Sequence, residues 1–186
     1  MTKNKKIIIG VSVGFGLIGL AWFLVAKKVN LALNQKVWDD VSDERIKTLH
    51  PSIRERVVAF INDAAREGIF LRLTSANRDW EEQARLYAQG RTTPGPIVTN
   101  AEPGESTHNY GLGFDVVPMV NGQPVWNSDQ WDRIGAIGKS HSFTWGGDWN
   151  SFSDRPHFQD TFGNSIASLR TMYLNGQVNN GYLNVA

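Results

Sequence analysis

The chain contains no cysteine. Disulfides, cysteine-ligated zinc and a thiol nucleophile are therefore excluded. It has no internal repeat and no low-complexity tract. Its net charge is small, +1 at pH 7, and that value hides an asymmetry. Residues 1–28 carry five lysines and no acid, whereas the remainder carries 14 Lys and Arg against 18 Asp and Glu, a net of −4. A slightly acidic body argues against nucleic acid as the main partner. The 41% hydrophobic and 20% charged content suits a globular chain, and 186 residues make about one domain plus an appendage.

The appendage is N-terminal. Ile7 to Ala26 is a run of 20 uncharged residues, long enough to span a bilayer core as a helix. Three lysines and the α-amine precede it and two lysines follow. That balance places the N-terminus inside and the body in the periplasm or cell exterior. The expectation is a retained inner-membrane anchor. A cleaved signal peptide fits less well, because the run is long for such a segment and Lys27-Lys28 flank it. Gly10, Ser12, Gly14, Gly16, Gly19 and Ala21 dilute the hydrophobicity. In this the run resembles the signal-arrest-release segments of some phage lysis enzymes, which leave the membrane after export. Gly10-xxx-Gly14 also fits a helix-packing face.

Residues 29–41 read as a linker, and a helical pattern begins at Ser42. Pro51-Ser52-Ile53-Arg54-Glu55 offers a serine N-cap with an acid three positions on, a capping box. Ile53, Val57, Phe60, Ile61 and Ala64 follow at helical spacing, with Gly68 placed to end the helix. Residues 69–74 alternate like a strand, and Asp79 to Gln89 reads as a second helix closed by Gly90. Residues 91–107 form a Pro- and Gly-rich loop. Gly113 to Met119 reads as a strand returning through Asn121-Gly122, a hairpin signal. Ser128 to Ser140 and Ser165 to Leu174 are further helices, and residues 143–145 and 157–158 are short strands. Residues 176–186 read as a polar tail. Helices and strands mix without regular βαβ alternation, which predicts an α+β fold.

Asp115 poses the chemical question, because it lies in the apolar run Phe114-Asp115-Val116-Val117. Burying a carboxylate is costly unless its charge is compensated. Of the four histidines, His108 precedes this strand and His157 follows Asp154-Arg155-Pro156. Two imidazoles and a carboxylate make an open zinc set with a fourth place for water. Spacing alone leaves this beside an ordinary chance arrangement. His50 and His141 fit surface or helix-end roles.

The wider pattern is more specific. Ser106-Thr-His108-Asn-Tyr-Gly111-Leu-Gly-Phe-Asp115 resembles the Ser-x-His-x-x-Gly-x-x-x-Asp signature of the zinc peptidoglycan peptidases. Pro156-His157-Phe158 resembles their third-ligand motif, and Thr74-Ser-Ala-Asn-Arg78 with Gln83 their arginine motif. Residues 86–95, 98–105 and Trp145-Gly-Gly-Asp-Trp149 resemble the L-alanyl-D-glutamate endopeptidase branch. The resemblance covers roughly residues 42–163. It departs at Gly113, where the family often has alanine.

The resemblance implies a small antiparallel sheet with flanking helices, the D,D-peptidase-like fold, in a zinc peptidase domain over residues 42–175. It implies one Zn²⁺ held by His108, Asp115 and His157, with Asp154 as catalytic acid and base, Asp148 and Glu105 being rivals. Arg78 would stabilise the oxyanion or hold a substrate carboxylate, with Gln83 bracing the loop. Ser106 would bind substrate and hydrogen-bond near His108, and Tyr110, Trp145 and Trp149 would bind substrate along a groove or sit in the core. The implied substrate is the peptidoglycan stem peptide, cut at its L-alanyl-D-glutamate bond in host cell lysis by a monomer. A D,D-carboxypeptidase and a membrane-anchored, non-catalytic wall-binding module are the alternatives.

Overall fold

A computed structural model describes residues 39–185. The expected span at 7–26 and most of the expected linker lie outside the described residues. Among the described residues no helix is long and apolar enough to cross a membrane.

Helix α1 (Asp40–Thr48) starts earlier than the pattern predicts, because Asp39 caps it by accepting from the Ser42 backbone N–H at 2.9 Å. The Ser42 hydroxyl then accepts from Leu73 N at 3.0 Å, and Arg72 pairs with Asp39. Those contacts stitch α1 to the first strand. Helix α2 (Pro51–Arg66) follows after two residues. The expected Ser52–Glu55 capping box is absent. His50 is the N-cap, and its Nδ1 accepts from Ser52 N at 3.3 Å. Pro51, with no N–H to leave unpaired, takes the first helical position, which pushes Ser52 inside the helix. The predicted apolar face is the observed one: Ile53, Val57, Phe60, Ile61 and Ala64 are fully buried.

The sheet is antiparallel, in the order β1 (Leu71–Ser75), β2 (Gly113–Val120), β5 (His157–Gln159), β4 (Thr144–Trp145). Strand β3 (Gln123–Pro124) pairs with the far end of β2 through Asn121-Gly122, whose φ angles of 50° and 76° make the expected hairpin turn. Leu71, Leu73, Phe114, Val116 and Phe158 form one core with α2 and with Trp131, Ile134 and Ile137 of α4 (Trp131–Ser140). Along β2 the side chains alternate, so Asp115 faces away from the side taken by Phe114 and Val116.

The register explains how three polar side chains come to share that other face. Asp115 is paired with His157 on β5. On β1 the pairing runs Leu71↔Pro118, Arg72↔Val117, Leu73↔Val116 and then skips to Ser75↔Asp115. The bulge between Leu73 and Ser75 adds one residue to β1 and turns Ser75 to the Asp115 side. A regular strand would have left Ser75 on the core side with Leu73.

Helix α3 (Trp80–Ala88) is capped by Asp79, and α5 (Ile166–Leu174) by Ser165. The chain beyond α5 corrects the expected tail. Strands β6 (Val178–Asn179) and β7 (Tyr182–Leu183) form a hairpin through Asn180-Gly181, with φ angles of 50° and 82°. Leu183 is buried in a second cluster with Tyr110, Leu112 and Leu169, and its carbonyl lies 2.8 Å from His50 Nε2. A single buried leucine among polar residues does not stand out in sequence, and here it docks the hairpin together with Tyr182, whose hydroxyl accepts from Arg54 Nη2 at 2.5 Å.

Candidate active site

His108 enters the site from a 3-10 helix, Thr107–Tyr110. Ser106 caps that turn by accepting from His108 N at 3.3 Å, which is the role expected for it near the histidine. Gly111 ends the turn at φ 65°, and a Cβ there would lie 2.8 Å from His50 N, so glycine lets the turn pack on the α1–α2 junction. The turn is tied to β1 through Arg78 N, which donates to His108 O at 3.0 Å.

Hydrogen bonds assign the tautomer of each imidazole. His108 Nδ1 lies 2.7 Å from the Ala76 carbonyl, which can only accept, so Nδ1 carries the proton and Nε2 presents its lone pair. His157 Nε2 lies 2.9 Å from Gln159 Oε1, so here Nε2 carries the proton and Nδ1 presents the lone pair. These two lone pairs and Asp115 Oδ1 face one another. His108 Nε2 lies 3.2 Å from His157 Nδ1 and 3.3 Å from Asp115 Oδ1, and His157 Nδ1 lies 3.0 Å from Asp115 Oδ1.

Three acceptors converging without a donor between them call for a cation. In a tetrahedral zinc shell with bonds of about 2.0–2.1 Å, neighbouring ligand atoms lie roughly 3.3 Å apart, close to the separations here. The three residues therefore fit a metal ion. When a proton takes that place instead, burial alone would lower the His157 pKa, but the hydrogen bond and charge of Asp115 outweigh it and raise it. Burial alone would raise the Asp115 carboxyl, and His108 and His157 outweigh that and hold it well below the usual carboxylate range.

Asp154 stands beside this trio. Its backbone is clamped, with N donating to Gly146 O at 2.9 Å and O accepting from His157 N at 3.1 Å. Burial, and then the negative charge of Asp115, raise its carboxyl pKa, and the histidines offset only part of that. A carboxyl with raised proton affinity next to a metal site suits proton transfer. Of its rivals, Asp148 is exposed and paired with Lys139 at 2.7 Å, while Glu105 lies on the cleft wall.

Arg78 lines the same cleft, its Nη1 donating to Gln83 Oε1 at 3.0 Å and Nη2 to Ser75 Oγ at 3.1 Å. Buried Gln83 donates in turn to the Ala101 carbonyl at 2.8 Å, so it braces both Arg78 and the loop, as expected. The cleft has a volume of about 680 Å³ and carries an apolar rim of Ile97, Val98, Trp149 and Phe152. Trp149 lies over His157 with ring centroids 5.2 Å apart.

Two expected groove residues are elsewhere. Tyr110 is buried in the second cluster and donates to the Gly104 carbonyl at 2.7 Å. Trp145 is buried on the core side, paired in register with Phe158, and donates to the Arg155 carbonyl at 2.7 Å. Conversely, Gln159, Thr107, Ser75 and Phe152 belong to the site without having been singled out. Gln159 had a signal, since a polar residue two positions after a candidate ligand on a strand shares its face.

A site of this form can hold a metal ion beside a carboxyl of raised proton affinity. The comparisons narrow it. A sequence profile of the peptidase M15 family, described as D-alanyl-D-alanine carboxypeptidase, matches residues 99–160. The peptidoglycan L-alanyl-D-glutamate endopeptidase CwlK of Bacillus subtilis strain 168 is 39% identical over 121 residues, covering 60% of this chain and 72% of CwlK. The L-alanyl-D-glutamate peptidase of Listeria phage A118 is 33% identical over 111 residues, covering 48% of this chain and 39% of that enzyme. Among solved structures, the L-Ala D-Glu endopeptidase ChiX of Serratia marcescens superposes with a TM-score of 0.49 at 22% identity, covering 70% of this chain and 96% of ChiX. The chain belongs to the peptidase M15 family and is a peptidoglycan peptidase.

Proposed function

We propose that the chain cuts the L-alanyl-D-glutamate bond of peptidoglycan stem peptides with one Zn²⁺ held by His108, Asp115 and His157. The observation that carries the reading is the convergence of three lone-pair atoms beside a carboxyl of raised proton affinity. The bond preference is supported by the names of the two curated relatives. Bound zinc supplies Lewis acidity and lowers the pKa of a coordinated water to about 7. Asp154 takes the proton of the attacking water and returns it to the departing amine. Arg78, held in place by Gln83 and Ser75, presents its remaining N–H groups to the developing oxyanion or to a substrate carboxylate. Ser106 and Trp149 flank the peptide in the cleft.

The same reading places the domain in the periplasm or cell exterior, delivered by residues 7–26, where murein lies. It gives the protein a role in host cell lysis. The test is zymography of the full chain in detergent on embedded murein, with mass spectrometry of the released fragments. Clearing that EDTA abolishes and Zn²⁺ restores, with L-Ala and D-Glu as new termini, is the expected result. Release of single D-alanine would point to the carboxypeptidase described for the family, and no clearing to a binding module.

A further inference from the structure

His157 is a proposed ligand whose ring is not held by the backbone. His108 has the Ala76 carbonyl, whereas the free side of His157 meets only side chains. Gln159 Oε1 accepts from His157 Nε2 at 2.9 Å and from the Thr107 hydroxyl at 3.2 Å, and Thr107 Oγ1 itself lies 3.4 Å from Nε2. An amide free to turn could present either its oxygen or its NH₂ to the ring, and only the oxygen keeps Nδ1 as the lone-pair nitrogen. The Thr107 hydroxyl also donates to that oxygen, so this orientation of the amide satisfies both donors at once.

Gly113 shows that the space for this hydroxyl is reserved. Its φ is not positive, so the backbone does not demand glycine. A Cβ there would lie 2.2 Å from Thr107 Oγ1, 3.1 Å from Thr107 Cβ and 3.0 Å from His157 Cε1. The alanine often found at this position in the family has no room while Thr107 keeps its rotamer.

We infer that Thr107 and Gln159 are positioning residues for His157, holding Nδ1 toward the metal site, and that Gly113 is the space they need. The inference rests on the metal-site reading above. It also links the two histidines, because Thr107 shares its turn with His108. Removing such outer partners costs about 10- to 100-fold in metal affinity.

The test measures zinc affinity of the full chain by chelator competition, with the metal-free melting temperature as a check on folding. Gln159→Leu and Gly113→Ala should each bind zinc about 10- to 100-fold more weakly. Gln159→Glu, which still accepts from both donors, should stay within about threefold of wild type. Thr107→Ala removes the 2.2 Å contact, so adding Gly113→Ala to it should weaken binding by less than Gly113→Ala does in the wild type, the contacts of 3.0 Å to His157 Cε1 and 3.1 Å to Thr107 Cβ remaining. In the zinc-loaded wild type, NMR should show a slowly exchanging His157 Nε2–H, which Gln159→Leu loses. Unchanged zinc affinity and an unchanged ring N–H in Gln159→Leu would overturn the inference while leaving the metal site standing. A wild type that binds no zinc would overturn both.

Discussion

Gly146→Ala probes how closely the acid–base carboxyl must be placed. Gly146 opens the 3-10 turn Gly146–Asp148, the three middle residues of Trp145-Gly-Gly-Asp-Trp149. A Cβ built there lies 2.4 Å from the Asp154 carbonyl oxygen and 3.2 Å from Cβ of both Asp154 and His157. Ordinary contact begins at 3.4 Å, so the shortfall against the carbonyl is 3.4 − 2.4 = 1.0 Å. The obstacle is backbone and cannot swing aside as a side chain could. That backbone is also bonded on both sides, to Gly146 O and His157 N. The segment before β5 must therefore yield by about an ångström, and Asp154 moves with it. A 1 Å misplacement of a catalytic group costs on the order of 10²-fold in rate. We expect kcat to fall by that order, with zinc retained because the shortfall at His157 Cβ is only 3.4 − 3.2 = 0.2 Å. Overpacking should cost about 1–3 kcal/mol of stability. Kinetics on a soluble stem peptide, with metal content by mass spectrometry, measures both. A variant whose kcat stays within about threefold of wild type while its structure keeps Asp154 in place would refute the reasoning.

Other substitutions separate binding from chemistry. Asp115→Asn should lose zinc and activity together, whereas Asp154→Asn should keep zinc and lose about 10²–10⁴-fold in kcat; equilibrium dialysis beside the kinetic assay tells them apart. The metal-free site should respond to pH in a stated direction. His157, raised above its ordinary 6.5, stabilises the fold fully below that value and loses the contribution as pH rises through its folded pKa. Asp115, depressed below 3.8, contributes above that value and loses it as pH falls through its folded pKa. The proton that holds the site together at mildly acid pH competes with zinc, so the gain in melting temperature on adding zinc should grow from pH 5.5 to pH 8. A gain that shrinks over that range would contradict the shared-proton picture. Leu183→Ala should cost about 2–5 kcal/mol in urea unfolding, although it lies in a segment that reads as a tail, because the side chain is buried in the second cluster.

Asp115 and the α2 stripe were legible because their signals are local, whereas the grouping of His108, Asp115 and His157 came from the family resemblance and not from spacing. Asp115 is conspicuous as a charge in an apolar strand, and α2 carries a full helical stripe. The aromatic residues were less readable. Trp145 and Trp149 are four positions apart, yet one joins the core and the other the rim, since strand pairing and not composition decides the face. Tyr110 follows a ligand by two residues but sits at the end of a 3-10 turn that rotates it into the second cluster. His50 displaced Ser52 as the cap because the chain turns into α2 at Pro51. The Thr107–Gln159 brace depends on residues 52 apart meeting across two elements, and no spacing rule reports that.

The bulge in β1 has a consequence for how this domain can vary. Before it, Leu71 and Leu73 answer to the core; after it, Ser75 answers to the cleft. One strand thus belongs to two selective regimes, with a single inserted residue as the border between them. Substitutions on the core side can drift with packing volume, and those on the cleft side with substrate chemistry, without either constraining the other. A change in strand length at Thr74 would erase that border and force both sets of positions to be solved at once.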